Sequence, residues 1–242
     1  MRHSMNTIPF YLSSEQPCDY LPNRQAQSLF VAPDTPLTVT LYSRLLAHGF
    51  RRSGGIVYQP HCSRCAGCVP IRIPVDRFEA SRIQRRTLRR NSDLCIIAKP
   101  AEFDEEHYAL YMRYLRARHP EGQMVHSSPE DYIHFLTSRW CTTVFYEFRL
   151  KGSLVALAVV DHLEHALSAV YTAFEPSAAA RSLGAYAVLW QIHHAKKLGM
   201  RWLYLGFWIH SCRKMAYKNH FRPLEAYLNG RWRIFEKGEN MV

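Results

Sequence analysis

Apolar positions along this chain fall into two rhythms, and their alternation sketches the elements. Between Leu37 and Phe50 they recur at 37, 41, 45, 46 and 50, the spacing of a helix with one buried face, with Gly49 near its end. Gly54 and Gly55 open a strand, Ile56 to Gln59, and Cys68 to Val75 alternates as a second; Pro70 and Pro74 put that second strand at a sheet edge. Ser81 to Arg90 reads as a helix, with Ser81 and Gln84 as a capping box and Asn91 at its end. A short strand, Leu94 to Ala98, leads to Lys99-Pro100, which reads as a boundary. Asp104 to Arg118 predicts an amphipathic helix with Tyr108, Tyr111, Met112 and Leu115 inward, and Ser128-Pro129 starts another. Three strands follow, Thr142 to Leu150, Leu154 to His162 and Leu167 to Phe174, the first two joined through Lys151-Gly152-Ser153. A long helix from Ser182 to Leu198 stops at Gly199. Trp202 to Ile209 is then an unbroken apolar and aromatic run, the pattern of a strand buried on both faces. Polarity reverses at once: Ser211 can cap a short helix that carries Arg213, Lys214 and Lys218. A terminal hairpin, Leu224 to Leu228 and Trp232 to Phe235, turns at Asn229-Gly230. Residues 1–35, punctuated by Pro17, Pro22, Pro33 and Pro36, read as mostly irregular.

Helix, helix, three antiparallel strands, helix, strand, helix, strand is the order of an acyl-CoA N-acyltransferase-like (GNAT-like) domain. The expected class is therefore α+β, with residues 1–99 as a smaller N-terminal α+β domain and residues 100–242 as the GNAT-like one. The long apolar strand and the basic helix after it stand out, because a buried strand that delivers helix N–H groups and cations to one sheet edge builds an anion site.

Charge strengthens that reading. Lys+Arg number 31 against 20 Asp+Glu, a net +11, and a surplus of that size points to nucleic acid first and an anionic membrane surface second. No window approaches 18 uninterrupted apolar residues, which argues against a spanning helix. The first residues lack an apolar signal core, so a cytoplasmic location is expected. Seven cysteines, an odd number, argue against a disulfide framework. The positive charge is clustered: Arg82, Arg85, Arg86, Arg89 and Arg90 crowd one short helix with few acids between them, a pattern suited to an RNA backbone.

Three constellations could carry chemistry. Arg181-Ser-Leu-Gly184-Ala-Tyr186 sits where acyl-CoA enzymes place a pyrophosphate loop, but Tyr186 would obstruct phosphate there, which favours a differently shaped nucleotide. Cys62, Cys65 and Cys68 form a C-x2-C-x2-C run; with Cys18 or His61 as a fourth ligand it suits Zn2+ or an iron–sulfur cluster, the alternative being free thiols in a turn. Cys95, Cys141 and Cys212 read as buried small hydrophobes. Asp161, at a strand end, could accept a proton from a substrate amine or anchor it, and Tyr171 lies mid-strand beside it; the alternative for Asp161 is a turn-flanking acid. No Ser or Cys nucleophile with a matched His and acid can be assembled.

Pro17-Cys-Asp-Tyr-Leu-Pro22, Gly49-Phe-Arg-Arg-Ser53, Cys65-Ala-Gly-Cys-Val-Pro-Ile-Arg72, Ser168-Ala-Val-Tyr171, Arg181 to Gly184 and Ile209 to Lys218, in that order, resemble the motifs of the aminoacyl-tRNA–protein transferases of the N-degron pathway. The resemblance covers nearly the whole chain and is strongest to the short bacterial, leucyl-transferring branch. It implies transfer of leucine from leucyl-tRNA to the amine of proteins beginning with Asp or Glu. The ester is already activated, so no cofactor and no covalent nucleophile is required, and an acceptor amine of pKa about 7.7–8.0 is partly neutral at working pH. Positioning and oxyanion stabilisation then carry the reaction. On this reading Arg51, Arg52, Arg181, Gly184, Arg213, Lys214 and Lys218 are candidates for the acceptor and the aminoacyl end; Tyr171, Phe174 and Phe207 for the leucyl pocket; and the Arg82–Arg90 helix for the tRNA body. Arginyl transfer, a CoA-dependent N-acetyltransferase and a non-catalytic RNA-binding protein are the alternatives.

Overall fold

In a computed structural model, which describes residues 8–241, the expected rhythms become two main sheets and six helices. The elements run β1 Phe10–Leu12, β2 Gln16–Pro17, β3 Gln25–Ala26, β4 Ser28–Val31, α1 Val39–Ala47, β5 Arg51–Ser53, β6 Ile56–Pro60, β7 Val69–Pro74, α2 Arg82–Arg90 and β8 Cys95–Pro100. Then come α3 Glu105–Arg118, α4 Pro129–Leu136, β9 Thr142–Leu150, β10 Ser153–His162, β11 Ala166–Phe174, α5 Leu183–Lys197, β12 Trp202–Trp208, α6 Arg213–Ala216, β13 Leu224–Leu228 and β14 Arg231–Phe235. A small sheet has the order β1-β4-β6-β5, and a large one the order β14-β13-β7-β12-β11-β10-β9-β8; β2 and β3 pair on their own. The large sheet therefore draws strands from both sides of residue 100.

Local chemistry fixes most boundaries. Thr38, Ser81, Asp104 and Ser128 accept backbone N–H bonds at the starts of α1, α2, α3 and α4, with full capping boxes at Ser81/Gln84 and Ser128/Asp131. Asn229 and Gly230, both at positive φ, turn the β13–β14 hairpin. The large sheet is covered on one face by α5 and α2, over Leu167, Leu183, Leu189, Ile192 and Leu203, and on the other by α3 and α4, over Tyr111, Tyr132, Phe145 and Val159.

Four expectations need correction. β7 is interior rather than an edge: β13 pairs only with Ile71 and Arg72, two of the three residues between the prolines, so neither missing N–H falls within that ladder. Part of residues 1–35 is strand, since β1 and β4 extend the small sheet. The short α6 is entered through Cys212, not Ser211, and without a side-chain cap bond. Cys95 is exposed, while Cys141 and Cys212 are buried as expected.

Candidate active site

The parallel neighbours β11 and β12 pair at only three positions, Ala166 with Trp202, Leu167 with Leu203 and Ser168 with Tyr204. Beyond these the strands part, β11 running on to Phe174 and β12 to Trp208. The separation frees backbone carbonyls that the interior must satisfy in another way. On one side of the opening Ala169 O accepts from Arg51 Nη2 at 2.7 Å, and on the other Phe207 O accepts from Lys218 Nζ at 2.8 Å. Arg51 Nη1 also donates to Ser168 Oγ at 2.9 Å. Gly206 makes room for the guanidinium: its φ is +78°, at a bulge in β12, and a Cβ there would lie 3.3 Å from Arg51 Nε.

Lys218 stands apart from the surface cations among which the sequence placed it. It is 9% exposed, and burial first, then the nearby Arg51, push its ammonium down to about 7, opposed weakly by Cys212. Arg213 and Lys214, on the same turn, are exposed. Lys214 lies near the end of α3, where it and Arg118 join burial in holding His119 below its ordinary value.

Arg52, the neighbour of Arg51 in β5, has a different role. Its Nε and Nη2 donate to the two oxygens of Asp161 at 2.7 and 2.6 Å, and Nη2 also reaches Leu136 O and Thr143 Oγ1. Thr143 donates to the same carboxylate at 2.8 Å. Both charged side chains are almost wholly buried. Asp161 thus has its oxygens committed to a cross-link between the two sheets, a geometry that speaks against handling substrate protons and takes Arg52 away from the acceptor.

Arg181 is also occupied. It forms a two-point bridge to Asp93 at 2.8 and 2.9 Å, while Arg90 donates back to Ala180 O and Asn91 Nδ2 to Arg181 O. These bonds strap α2 to the turn before α5. Gly184 faces the Phe174 ring, 2.9 Å from where a Cβ would be, and Tyr186 turns into the core against Phe148. Phe174 thus leaves no room for a side chain at Gly184, and Tyr186 turns away from the start of α5.

Of the expected leucyl-pocket residues, Tyr171 and Phe174 come together, both packed on Tyr114 of α3 at ring distances of 6.3 and 4.8 Å. Burial, then Tyr114, holds the Tyr171 phenol above its ordinary value. Phe207 lies apart, against Tyr58 at 6.2 Å. Burial first, then Tyr114 of α3, push the Tyr217 phenol up to about 12, which sets the segment carrying Lys218 beside α3.

On α2 the five arginines are exposed, and its buried stripe is polar: Gln84 Nε2 donates to His220 O at 2.9 Å, with Thr87 and Asn91 behind it. The arginine helix is thereby tied to the segment that carries Lys218.

Cys18, Cys62, Cys65 and Cys68 line one cavity of about 340 Å3 with Tyr20, Tyr58 and Phe207; exposed His61 is not part of it. Burial, then the other three thiols, push Cys68 up to about 12. Soft sulfur donors suit Zn2+ or an iron–sulfur cluster, and Gln27 N and Gly67 N already donate to Cys62 and Cys65. Among the described residues, however, no group of three His, Cys, Asp or Glu is spaced to hold a metal ion.

Tyr114, Ser168 and Gly206 are not among the site residues the sequence nominates. Ser168 lies in the Ser168–Tyr171 motif, and Gly206 is a glycine inside a buried strand, which marks a bulge or a close approach.

Family models for the arginine-tRNA-protein transferase N terminus and C terminus match residues 16–86 and 106–228. An aspartate/glutamate leucyltransferase from Nitrosococcus oceani is 48% identical over 229 residues, 94% of this chain and 96% of the relative. One from Stutzerimonas stutzeri is 48% identical over 95% and 97%, and one from Pseudomonas aeruginosa 47% over 93% and 96%. The chain belongs to the arginine-tRNA-protein transferase family. Among solved structures, L-PGS from Bacillus licheniformis superposes with a TM-score of 0.46 at 14% identity over 69% of this chain and 48% of that one, a likeness too distant to carry any argument. Among the described residues no helix is long and apolar enough to cross a membrane.

Proposed function

We propose that this chain transfers leucine from leucyl-tRNA to the N-terminal amine of proteins beginning with Asp or Glu. The observation that carries the reading is near-full-length similarity, at 47–48% identity, to leucyltransferases of that specificity. The opening between β11 and β12 supports it. Three antiparallel strands, a crossover helix and a parallel strand that splays away support reading the C-terminal part as GNAT-like, with the splay as a common meeting place for two substrates. Arg181 engaged by Asp93 and Gly184 packed on the Phe174 ring support an aminoacyl ester rather than CoA as donor.

The chemistry asks little of the side chains. The amine of the acceptor, neutral in part near pH 8, attacks the ester carbonyl; a tetrahedral oxyanion forms; the 3′-terminal ribose oxygen leaves and takes a proton. Rate comes from alignment and from cations held close to the developing charge. Tyr114, Tyr171 and Phe174 provide apolar walls for the leucyl side chain, Arg213 and Lys214 meet the 3′ end at the rim, and Arg82, Arg85, Arg86, Arg89 and Arg90 carry the tRNA body. The Gln84–His220 bond fixes the distance between that helix and the reaction centre.

The test offers leucyl-tRNA, arginyl-tRNA and acetyl-CoA separately, with peptides starting in Asp, Glu or Lys. Leucine transfer to the acidic peptides alone is expected. Turnover only with acetyl-CoA, or tRNA binding with no transfer, would overturn the reading.

A further inference from the structure

Buried charges in proteins are normally matched, because an unpaired ion in a low-dielectric interior costs several kcal/mol. Arg52 obeys the rule through Asp161. Arg51 has no such match, and neither does Lys218, whose ammonium is instead pushed down to about 7 by burial and by Arg51. Arg51 is 7% exposed and Lys218 9%, and among the described residues neither has a carboxylate partner. Arg51 uses two of its N–H groups, on Ser168 Oγ and Ala169 O, and Lys218 bonds Phe207 O and Met215 Sδ, so donors remain on both. The two cations are near enough for Arg51 to disfavour the Lys218 ammonium. Both reach backbone oxygens near where β11 and β12 part, Ala169 O and Phe207 O, and Gly206, next to Phe207, lies against the Arg51 guanidinium.

We infer that Arg51 and Lys218 form the pocket for the acidic side chain of the acceptor, whose carboxylate supplies the missing counter-charge. The inference rests on the aminoacyl-transfer reading of this opening. Depth favours a carboxylate over a tRNA phosphate. A side-chain carboxylate is a terminal group that can enter a narrow hollow, whereas a phosphodiester is flanked on both sides by ribose and base. The exposed cations Arg213 and Lys214 and the arginines of α2 offer the open surface a phosphate needs. Selectivity points the same way: screened surface charges discriminate poorly between Asp and Asn. A buried site built to bind a carboxylate rejects the amide strongly, since the amide cannot neutralise the cations and brings its own N–H groups against theirs.

The test compares Lys218→Met with the unmodified chain, using short C-terminally amidated peptides that begin with Asp or Asn. Peptide binding is measured by calorimetry without tRNA, leucine transfer as kcat/KM, and leucyl-tRNA affinity by filter binding. The unmodified chain is expected to prefer Asp in both peptide assays. Lys218→Met should cut that preference at least about tenfold and leave leucyl-tRNA affinity within about twofold. Lys218→Arg, which restores the charge, should recover part of the preference. If Lys218→Met fails to fold, Arg51→Lys serves, because loss of the forked guanidinium should lower Asp affinity without touching Asn. An unchanged Asp-to-Asn ratio in a folded variant overturns the pocket, and so does weakened tRNA binding with the ratio intact, which would reassign the anion to a phosphate. Selective peptide binding without any transfer in the unmodified chain would sink the proposed activity and leave the pocket standing.

Discussion

Asp161→Asn separates a structural from a chemical role for a residue that sequence alone nominates as catalytic. The substitution keeps the shape and leaves Thr143 Oγ1 an acceptor, but it removes the charge opposite Arg52 and one of the two oxygens that the guanidinium grips at 2.6 and 2.7 Å. Arg52 cannot escape to solvent, since its side chain is 1% exposed. Removing one partner of a buried pair costs about 3–5 kcal/mol. In a chain of 242 residues each kcal/mol moves the melting temperature by about 2–4 °C, so a fall of about 6–20 °C is expected. The assay is thermal unfolding followed by near-ultraviolet circular dichroism, together with leucine transfer measured well below the lowered midpoint.

Transfer by the folded fraction should stay within about threefold, because the pair spends its hydrogen bonds on itself, Leu136 O and Thr143. The double variant Arg52→Met, Asp161→Leu should regain most of the lost stability, since an apolar pair of similar volume avoids the desolvation penalty. An unchanged midpoint with transfer lost a hundredfold or more would refute the reasoning and return Asp161 to the reaction.

Three other expectations follow from the same geometry. Replacing Arg82, Arg86 and Arg89 with Glu should weaken tRNA binding and flatten the dependence of log affinity on log salt by about 0.7–0.9 for each phosphate no longer neutralised, with unchanged affinity ruling the helix out. Gly206→Ala puts a Cβ at φ +78° and 3.3 Å from Arg51 Nε, so a loss of about 1–3 kcal/mol in urea unfolding is expected, with a further loss of Asp-peptide transfer as Arg51 is displaced. His162 and His194 both bond Tyr146 Oη, at 2.8 and 3.0 Å, and burial holds both below the ordinary imidazole value. The unfolded chain therefore binds protons before the folded one does, and stability present above about pH 6.5 should be lost as pH falls toward the folded-state values. Tyr146→Phe in the same melting series should reduce the stability at pH about 7.5, and no difference there would show that the shared hydroxyl contributes nothing.

Periodicity carried the fold well where contacts are local. The strands at Thr142–Leu150 and Trp202–Trp208, the capping box at Ser81 and the turn at Asn229-Gly230 all stand as read, because each depends on neighbours within a few positions. The failures are non-local. Proline chemistry correctly forbids Pro70 and Pro74 a full ladder, but it could not reveal that β13 needs only Ile71 and Arg72 between them. Asp161 looked available because its partner lies 109 positions away, and Arg181 looked available because Asp93 lies 88 away. The aromatic wall divided for a similar reason: Tyr171 and Phe174 share β11, while Phe207 is carried on β12 to the far side of the separation, against Tyr58.

The cations make the general point, since the sequence offers them as equivalents and the fold does not. Arg52 and Arg181 are neutralised by Asp161 and Asp93 and act as clamps, one deep and one near the surface. Arg213, Lys214 and the α2 arginines keep their charge in water, where it attracts a polyanion over long range but distinguishes little at close quarters. Arg51 and Lys218 alone among these candidates combine burial with the lack of an acidic partner among the described residues. In the empty chain Arg51 stays unmatched and Lys218 is pushed toward its neutral form, and an arriving anion offsets both. A selective enzyme can therefore draw its preference for acidic acceptors from the same two groups that make its resting state less stable than a fully paired interior would be.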